Sequence, residues 1–296
     1  MFDNVNFENS ISNLPVVTAD YVKKFFTPLG KTINKGSLGR LVLVGGSKNY
    51  VGAVLLASEA AMRVGLGTSM LACPKSICSD LRSRVLYSGL FPLSEVDGNI
   101  KFVKEEFAEL SNGATAFAVG MGGANGEFEN CVDYIFENTS LNFVLDADGL
   151  KSIGQNAKRY GYRAVFTPHP KEMSKLCGYS VEDILNSPVE IAKEYAKSHE
   201  IILLLKGYKT IITDGERVML NVSGTPKMAK GGSGDVLSGV IGALLARGVL
   251  PFDAACAGAF ICGKAAENSS VNEYSFLPTD TINEIVKVVD FLTKAE

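Results

Sequence analysis

Two apolar runs near the N-terminus, separated by a helical segment, leave few folds open to this chain. The first run extends from Arg40 to Gly46 without alternation, and the second covers residues 68–73. A continuous apolar run of this length is typical of a parallel strand that is buried on both faces. Residues 52–64 between the runs carry a helical pattern. The three segments therefore predict a right-handed βαβ unit.

The same alternation continues toward the C-terminus. Further strands are predicted at 114–120, 141–146, 163–167 and 201–206, and a hairpin at 210–220. Helices are predicted at 20–26, 127–138, 189–198, 251–267 and 280–294. The pattern predicts one doubly wound α/β domain over residues 1–296, with a mostly parallel sheet and an N-terminal arm at 1–20. In such a sheet, ligands bind beyond the carboxyl ends of the strands.

The composition narrows the class of function and the compartment. The net charge of -3 and the pI near 5.6 argue against a nucleic-acid-binding surface. No apolar run approaches the ~20 residues of a membrane span, and no signal peptide is visible. The six cysteines form no CxxC pair, and only two histidines are present. These features predict buried, reduced thiols rather than a zinc site, and a cytoplasmic protein.

A glycine-rich loop at 221–235 leads directly into a helix that ends at Gly248. Gly231, Gly232 and Gly234 lie where the loop becomes the helix. Free backbone N–H groups and the helix dipole attract an anion at such a position. Glycine lets the backbone approach that anion closely. The spacing therefore predicts a phosphate-binding loop.

Asp235, the last residue of this loop, is open to two interpretations. A carboxylate at a helix start is favourable as a cap. Beside a phosphate it repels its neighbour, which indicates another task. That task would be a general base that takes the proton from a hydroxyl about to attack phosphorus. The spacing alone does not decide between the cap and the base.

Several clusters, taken in order along residues 30–265, resemble one family, the nucleotide-dependent NAD(P)H-hydrate dehydratases of ribokinase-like fold. The matching clusters are Lys35-Gly36, Gly45-Gly46-Ser47, Gly120-Met-Gly122, Asp146-Ala-Asp148, Thr167-Pro-His-Pro-Lys-Glu172, Lys206-Gly-Tyr-Lys-Thr210 and Lys230-Gly-Gly-Ser-Gly-Asp235. The boxes at 167–172 and 230–235 together are specific for this family. One departure is Asn34, where the family often has histidine. The segment before residue 30 is too short for the epimerase domain often fused there, so we expect only the dehydratase part.

This resemblance implies a repair reaction. The enzyme would phosphorylate the ring hydroxyl of the S epimer of hydrated NADH or NADPH, with ADP or ATP as donor and Mg²⁺ as cofactor. Phosphate would then leave and the double bond return, which makes the enzyme a carbon–oxygen lyase that converts ADP to AMP. The resemblance also implies a homotetramer whose partner is a small-molecule substrate, not nucleic acid or a membrane.

The resemblance further implies a role for each matching residue. Asp235 would be the catalytic base. The predicted nucleotide-binding residues are Lys206, Gly207, Tyr208, Lys209, Thr210, Gly232, Ser233 and Gly234. The predicted substrate-binding residues are Ala53, Gly122, His169 and Asp235. Glu172 would orient magnesium, with an exposed helix-start carboxylate as its alternative. For His169 the alternative is a loop histidine without ligand, and for Asp146 and Asp148 a metal or ribose contact stands beside a structural cap.

Two other functions are compatible with parts of the pattern. One is a different kinase of the same fold, such as hydroxyethylthiazole kinase, which would keep Asp235 and its glycines but lack the box at 167–172. The other is a catalytically silent nucleotide-binding regulator. An intact Asp235 argues against a regulator, because a pure binder gains nothing from a carboxylate that faces phosphate.

Overall fold

A central sheet dominates the structure, a computed structural model that describes residue 11 and residues 13–294. The strands in chain order are β1 (Arg40–Val44), β2 (Thr68–Pro74), β3 (Ser88–Leu93), β4 (Glu95–Val96), β5 (Asn99–Ile100), β6 (Ala116–Val119), β7 (Asn142–Leu145), β8 (Ala164–Phe166), β9 (Ile202–Leu205), β10 (Thr210–Thr213) and β11 (Val218–Asn221). Strands β4 and β5 form a separate two-stranded hairpin, and the others form one sheet.

The helices fill the connections between these strands. In chain order they are α1 (Ala19–Lys23), α2 (Gly52–Arg63), α3 (Lys75–Leu81), α4 (Lys104–Ser111), α5 (Phe128–Asn138), α6 (Ala147–Ile153), α7 (Pro170–Cys177), α8 (Val181–Asn186), α9 (Pro188–His199), α10 (Ser233–Ala246), α11 (Pro251–Asn268) and α12 (Pro278–Thr293). Short 3₁₀ turns lie at Lys35–Leu38, Gly154–Asn156 and Pro226–Met228. No described helix is long and apolar enough to cross a membrane.

The strand order of the large sheet is β11-β10-β9-β8-β7-β6-β1-β2-β3. Pairing is parallel from β9 through to β3, whereas β10 is antiparallel to both of its neighbours. The predicted doubly wound, mostly parallel sheet and the hairpin at 210–220 are therefore confirmed. Edge strand β3, the β4–β5 hairpin and helices α3, α4 and α6 to α8 were not predicted.

The sheet has a hydrophobic core on each face. In β1, Leu41 and Leu43 belong to one core, and Val42 and Val44 belong to the other; all four are fully buried. The first core packs against α2, α10, α11 and α12, and the second against α4, α5, α7 and α9. Burial on both faces is the reason that the strand sequences show continuous apolar runs.

Helix α10 crosses α2 at backbone contact. A Cβ atom on Gly239 would lie 2.0 Å from the carbonyl oxygen of Ala57, so no larger residue fits this crossing. The same close approach places the start of α10 beside the start of α2. A Cβ atom on Gly232 would lie 2.8 Å from Cδ1 of Leu56. The crossing therefore fixes the glycine-rich loop against the N-terminal half of α2.

The described part of the N-terminal arm adds to the edge of the sheet. The amide of Val17 donates to the carbonyl of Leu220 at 2.9 Å, and the amide of Leu220 donates to Pro15 at 2.8 Å. Residues 15–17 are thus held against β11. Residues 1–10 and 12 of the predicted arm lie outside the described residues.

Candidate active site

Asp146, Thr167 and Lys206 each follow the carboxyl end of one of three adjacent parallel strands, β7, β8 and β9. Their side chains meet because parallel strands end at the same edge of a sheet. Oδ1 of Asp146 accepts hydrogen bonds from Nζ of Lys206 and from Oγ1 of Thr167, both at 2.8 Å. Oδ2 accepts from the hydroxyl of Ser238 at 3.0 Å. The carboxylate thereby joins two strand ends to helix α10.

The charges of this cluster are fixed. Burial raises the pKa of Asp146, but the Lys206 ammonium and the hydrogen bonds from Lys206, Thr167 and Ser238 outweigh burial, so the net pKa is lowered. Burial lowers the pKa of Lys206, yet the nearby carboxylates, Asp146 foremost and then Glu172, outweigh it and raise the pKa. The cluster therefore contains an ionised acid and an ionised amine at neutral pH.

The start of α10 has the geometry of an anion site. Gly232 occupies the N-cap position with φ +98° and gives no side-chain cap. A Cβ on Gly234 would lie 3.2 Å from Oδ2 of Asp146 and 3.6 Å from Nζ of Lys206. Because glycine has no side chain, the loop backbone packs directly against this ion pair. The hydroxyl of Ser233 is buried without a partner among the described residues. Orphan N–H groups and an unpaired hydroxyl are what a phosphate requires.

Asp235 follows in the first turn of α10. Burial, then the negative charge of Asp146 and that of Asp148, raise the pKa of Asp235 to about 7, although the Lys206 ammonium opposes them. The N-cap interpretation of Asp235 is wrong, because the cap position belongs to Gly232. A carboxyl group that titrates near neutral pH suits a general base.

His169 and Glu172 form a reciprocal capping box at the start of α7. The amide of Glu172 donates to Nδ1 of His169 at 3.2 Å, and the amide of His169 donates to Oε2 of Glu172 at 2.9 Å. This fixes the ring; the His169 side chain is 47% exposed, and its Nε2 lies 3.5 Å from Oε2 of Glu172. Glu172 also lies 3.7 Å from Nζ of Lys206. His169 thus has the extended backbone of an N-cap residue at the start of α7.

The two predicted floor residues, Ala53 and Gly122, lie in direct contact. Gly122 has φ +61°, and a Cβ there would lie 2.6 Å from Cβ of Ala53 and 2.9 Å from Cβ of Tyr50. Two residues further on, the amide of Ala124 donates to Oδ2 of Asp148 at 2.8 Å. The floor is therefore tied to the carboxylates around Asp235, and only small residues fit it.

A cavity of about 490 Å³ is lined in part by the glycine loop. Six of the eight predicted nucleotide residues line it, namely Lys206, Gly207, Tyr208, Thr210, Ser233 and Gly234. Gly232 and Lys209 are not in its lining; Nζ of Lys209 lies 5.8 Å from the centre of the Tyr208 ring. The remaining wall comprises seven further residues of the predicted loop at 221–235, and four residues of α10 and α11 that were not predicted: Asn221, Ser223, Gly224, Thr225, Pro226, Met228 and Ala229, then Leu237, Ala259, Cys262 and Gly263.

The described residues do not supply a preformed metal cage. From 13 to 294, no three His, Cys, Asp or Glu side chains group as metal ligands. Glu172 stands at a helix start, as its alternative predicts, but its side chain is only 19% exposed because it contacts His169 and Lys206. A magnesium role for Glu172 stays a prediction.

His169→Ala should raise KM for the dinucleotide substrate more than KM for the phosphate donor. His169 follows the carboxyl end of β8 with a partly exposed side chain, and it is absent from the lining of the 490 Å³ cavity. Since the ring also caps α7, alanine should cost about 1 kcal/mol of stability as well. His169→Asn is the matched control, because asparagine caps a helix well but lacks Nε2. Steady-state kinetics with both substrates varied decide the point: a normal KM in the asparagine variant would assign His169 to capping alone.

The fold and the site together define a ribokinase-like α/β protein with a cavity beside a helix start that has the geometry of an anion site. The family model described as NAD(P)H-hydrate dehydratase matches residues 41–287. The chain belongs to the NAD(P)H-hydrate dehydratase family.

Individual relatives agree with this assignment. The ADP-dependent (S)-NAD(P)H-hydrate dehydratase of Cenarchaeum symbiosum is 31% identical over 256 residues, covering 85% of this chain and 88% of the relative. The bifunctional NAD(P)H-hydrate repair enzyme Nnr of Hyperthermus butylicus is 37% identical over 246 residues. That match covers 78% of this chain but 44% of the relative, and the chain spans about half the length of the bifunctional relatives it matches.

A solved structure gives the same result for the fold. The ADP/ATP-dependent NAD(P)H-hydrate dehydratase of Bacillus subtilis, crystallised with ATP and Mg²⁺, superposes with a TM-score of 0.83 at 26% identity. The alignment covers 95% of this chain and 99% of that structure.

Proposed function

We propose that this chain repairs the S epimer of hydrated NADH or NADPH by nucleotide-dependent phosphorylation and elimination of phosphate. One observation carries the proposal: Asp235 stands beside the Asp146–Lys206 pair, in the first turn of a helix whose start has the geometry of an anion site, and burial there raises its pKa to about 7. This arrangement activates a hydroxyl next to a phosphate. The family supplies the identity of the hydroxyl, which is that of the hydrated nicotinamide ring.

The two ligands would approach the loop from opposite sides. The nucleotide occupies the 490 Å³ cavity, with its terminal phosphate against the N–H groups of Gly232 to Asp235 and near Lys206. The dinucleotide lies over Ala53 and Gly122, within reach of His169. Asp235 lies at the boundary between the two ligands. The predicted nucleotide-binding residues therefore form one group around the cavity, and the predicted substrate-binding residues form a second group around Ala53 and Gly122.

The chemistry follows from this placement. Asp235 takes the proton of the ring hydroxyl as its oxygen attacks the terminal phosphorus, and AMP leaves when ADP is the donor. The N–H groups of the helix start and the Lys206 ammonium stabilise the charge that develops on the phosphoryl oxygens. The ring C–O bond then breaks and phosphate departs. Loss of a proton from the adjacent ring carbon restores the double bond, so the net reaction is the action of a lyase.

Magnesium fits this site as an ion carried by the phosphates rather than held in a protein cage. Mg²⁺ is commonly bound by one or two carboxylates together with substrate phosphates. Glu172, near Lys206 at the mouth of the cluster, is the carboxylate we assign to it. The ion would neutralise phosphate charge during transfer.

The wider assignments rest on composition and family. We propose a single domain over residues 1–296, a cytoplasmic location and a homotetramer. The six cysteines are free, as expected for a reducing compartment. Sedimentation or light scattering checks the tetramer.

The test of the activity mixes the protein with hydrated NADH, Mg²⁺ and either ADP or ATP at equal concentrations. Recovery of the near-ultraviolet absorbance of the reduced nicotinamide, with release of phosphate, is the expected result. The comparison of ADP with ATP identifies the donor. Absence of recovery with both nucleotides, together with phosphorylation of hydroxyethylthiazole, would instead identify a kinase of the same fold.

Gly234→Val should weaken nucleotide binding by about 10- to 100-fold, the loss of charge-assisted contacts worth about 1.5–3 kcal/mol. The new side chain would press against Oδ2 of Asp146 and Nζ of Lys206, and so displace the loop amides and the ammonium that would hold the phosphate. Gly231→Ala in the same loop is the control, since a Cβ there meets nothing within 4 Å. Calorimetric titration with ADP measures both. Equal affinity in the two variants would place the phosphate elsewhere.

A further inference from the structure

Asp146 is in the N-cap position of α6 but does not act as a cap. Its backbone has the extended conformation of an N-cap residue, yet its side chain makes no hydrogen bond to the helix. Aspartate is among the best capping residues, so this is an unused stabilisation. The next residue, Ala147, has a left-handed φ of +48°, which alanine adopts only at a cost. The missing cap and the strained Ala147 both cost stability locally, and they accompany a carboxylate that points away from the helix start.

The carboxylate is directed into the centre of the molecule. Asp146 is 2% exposed, and its two oxygens accept three hydrogen bonds, from Thr167, Lys206 and Ser238. Ser238 lies three residues after Asp235, so the two side chains share one face of α10. Asp146 is thus bonded to the helix that carries the proposed base and to the lysine that faces the nucleotide. Gly234 separates it from the cavity.

We infer that Asp146 is a positioning residue for phosphoryl transfer, which aims Lys206 at the phosphates and supplies a fixed negative charge beside Asp235. The inference rests on the proposed function of Asp235 as the base. Asp146 does not touch either ligand, since it is buried behind the glycine loop. It orients Lys206, and its negative charge disfavours the ionised form of Asp235.

The charges that face Asp235 support this role. Asp146 and Asp148 disfavour its ionised form, and Lys206 favours it. Burial, followed by the charge of Asp146, raises the pKa of Asp235 to about 7. Asp146 has its own pKa lowered by Lys206 and its hydrogen bonds in spite of burial, so its charge is present throughout the working pH range. A constant charge beside a titrating group tunes that group to neutral pH.

The decisive variant is Asp146→Asn, which removes the charge and keeps the shape. The amide oxygen can still accept from Lys206 and Thr167, and the hydroxyl of Ser238 can turn to accept from the amide nitrogen. The acid limb of the kcat/KM profile for the hydrated dinucleotide should move to lower pH by about one unit, the usual effect of one nearby charge. Ser238→Ala, which removes a hydrogen bond without removing charge, should leave the limb in place.

A second measurement does not depend on activity. The isotope-labelled carboxyl carbons of aspartate are followed by NMR, and the signal of Asp235 is identified by its loss in Asp235→Asn. In Asp146→Asn the titration midpoint of Asp235 should move to lower pH, by the same amount as the acid limb of the kcat/KM profile. If Asp146→Asn does not fold, Asp146→Asn/Lys206→Gln serves instead, because it leaves no buried charge unpaired; the Asp235 midpoint should still fall, since Asp146 acts more strongly on Asp235 than Lys206 does. An unmoved midpoint in the folded variant overturns the inference.

These outcomes separate the inference from the proposed function. If Asp235→Asn is folded and turns over normally, Asp235 is not the base and the proposed mechanism fails. If Asp235→Asn is inactive but the titration midpoint of Asp235 is the same in Asp146→Asn as in the wild type, only the positioning role of Asp146 fails. A shifted midpoint with an unshifted kinetic limb would also refute it, since the charge would then not act on turnover.

Discussion

Asp235→Asn is expected to lower kcat by about 10²–10⁴-fold, the usual contribution of a general base. Asparagine keeps the size of the side chain but cannot take the hydroxyl proton. Nucleotide affinity should hold or rise, because the variant removes a negative charge that faces phosphate. Measuring kcat and the nucleotide Kd on one preparation tests both parts. A folded variant with near-wild-type kcat would show that Asp235 is not the base.

The same substitution has an expected effect on stability that depends on pH. In the folded protein the pKa of Asp235 is raised from 3.8 to about 7, so the native state holds its proton more tightly than the unfolded chain. As the pH rises from about 4 to about 7, the unfolded chain gives up the proton of Asp235 before the folded protein does, and the free energy of unfolding of the wild type falls. Asparagine cannot ionise and avoids the loss. The melting temperature of Asp235→Asn relative to wild type should increase across this range and level off above it.

Asp148→Asn is the control for a general effect of removing acid from the site. Asp148 contributes the last and smallest of the charges that raise the pKa of Asp235, and its Oδ2 accepts from Ala124. The fall in kcat should be far smaller than for Asp235→Asn. Equal losses in the two variants would mean that net charge, rather than proton transfer, explains the effect.

The meeting of the candidate residues at one edge of the sheet was predictable from the sequence, because each glycine or polar cluster comes directly after a buried strand. Residues 146, 167 and 206 were predicted to end strands, and parallel strands bring such ends together. The partners of Asp146 were not predictable in this way. Ser238 appears only as a polar position inside an apolar helix, although it is fully buried. A buried serine in such a helix is the signal that a polar partner faces it.

The capping box at His169 shows a signal that was present in the sequence. Pro170 is well suited to the first position of a helix, and Glu172 stands three residues after His169. This spacing predicts a helix start, whereas the two prolines around His169 suggest an extended turn. Helix α7 was missed because histidine is an uncommon N-cap residue. Its ring here accepts through Nδ1, as a carboxylate or hydroxyl would.

The far wall of the nucleotide cavity could not be predicted from the sequence. Ala259, Cys262 and Gly263 lie on α11, where small apolar residues indicate helix packing. They line the cavity because α11 packs against the β10–β11 hairpin, a contact between elements distant in the chain. Edge strand β3 was missed for a local reason. It contains Gly89 and Pro92, both of which are unfavourable in strands except at edges.

Lys206→Gln is expected to have the largest effect on stability. Asp146 is 2% exposed and would lose the cation that compensates its charge. Removing one partner of a buried ion pair costs about 3–5 kcal/mol. The lowered pKa of Asp146 means that the pair stabilises the protein above the ordinary pKa of 3.8 and that this contribution is lost as the pH falls. The difference in unfolding free energy from wild type should therefore be large at neutral pH and narrow in acid.

The double variant Asp146→Asn/Lys206→Gln separates this structural cost from the role of Lys206 at the phosphates. Two neutral amides can keep hydrogen bonds to each other and to Thr167 and Ser238, so no buried charge is left unpaired. Most of the lost stability should return, as measured by denaturant unfolding. Turnover should not return, because the loss of the ammonium removes about 1.5–3 kcal/mol of charge-assisted contact with the phosphates. Recovery of both stability and kcat in the double variant would limit Lys206 to neutralising Asp146.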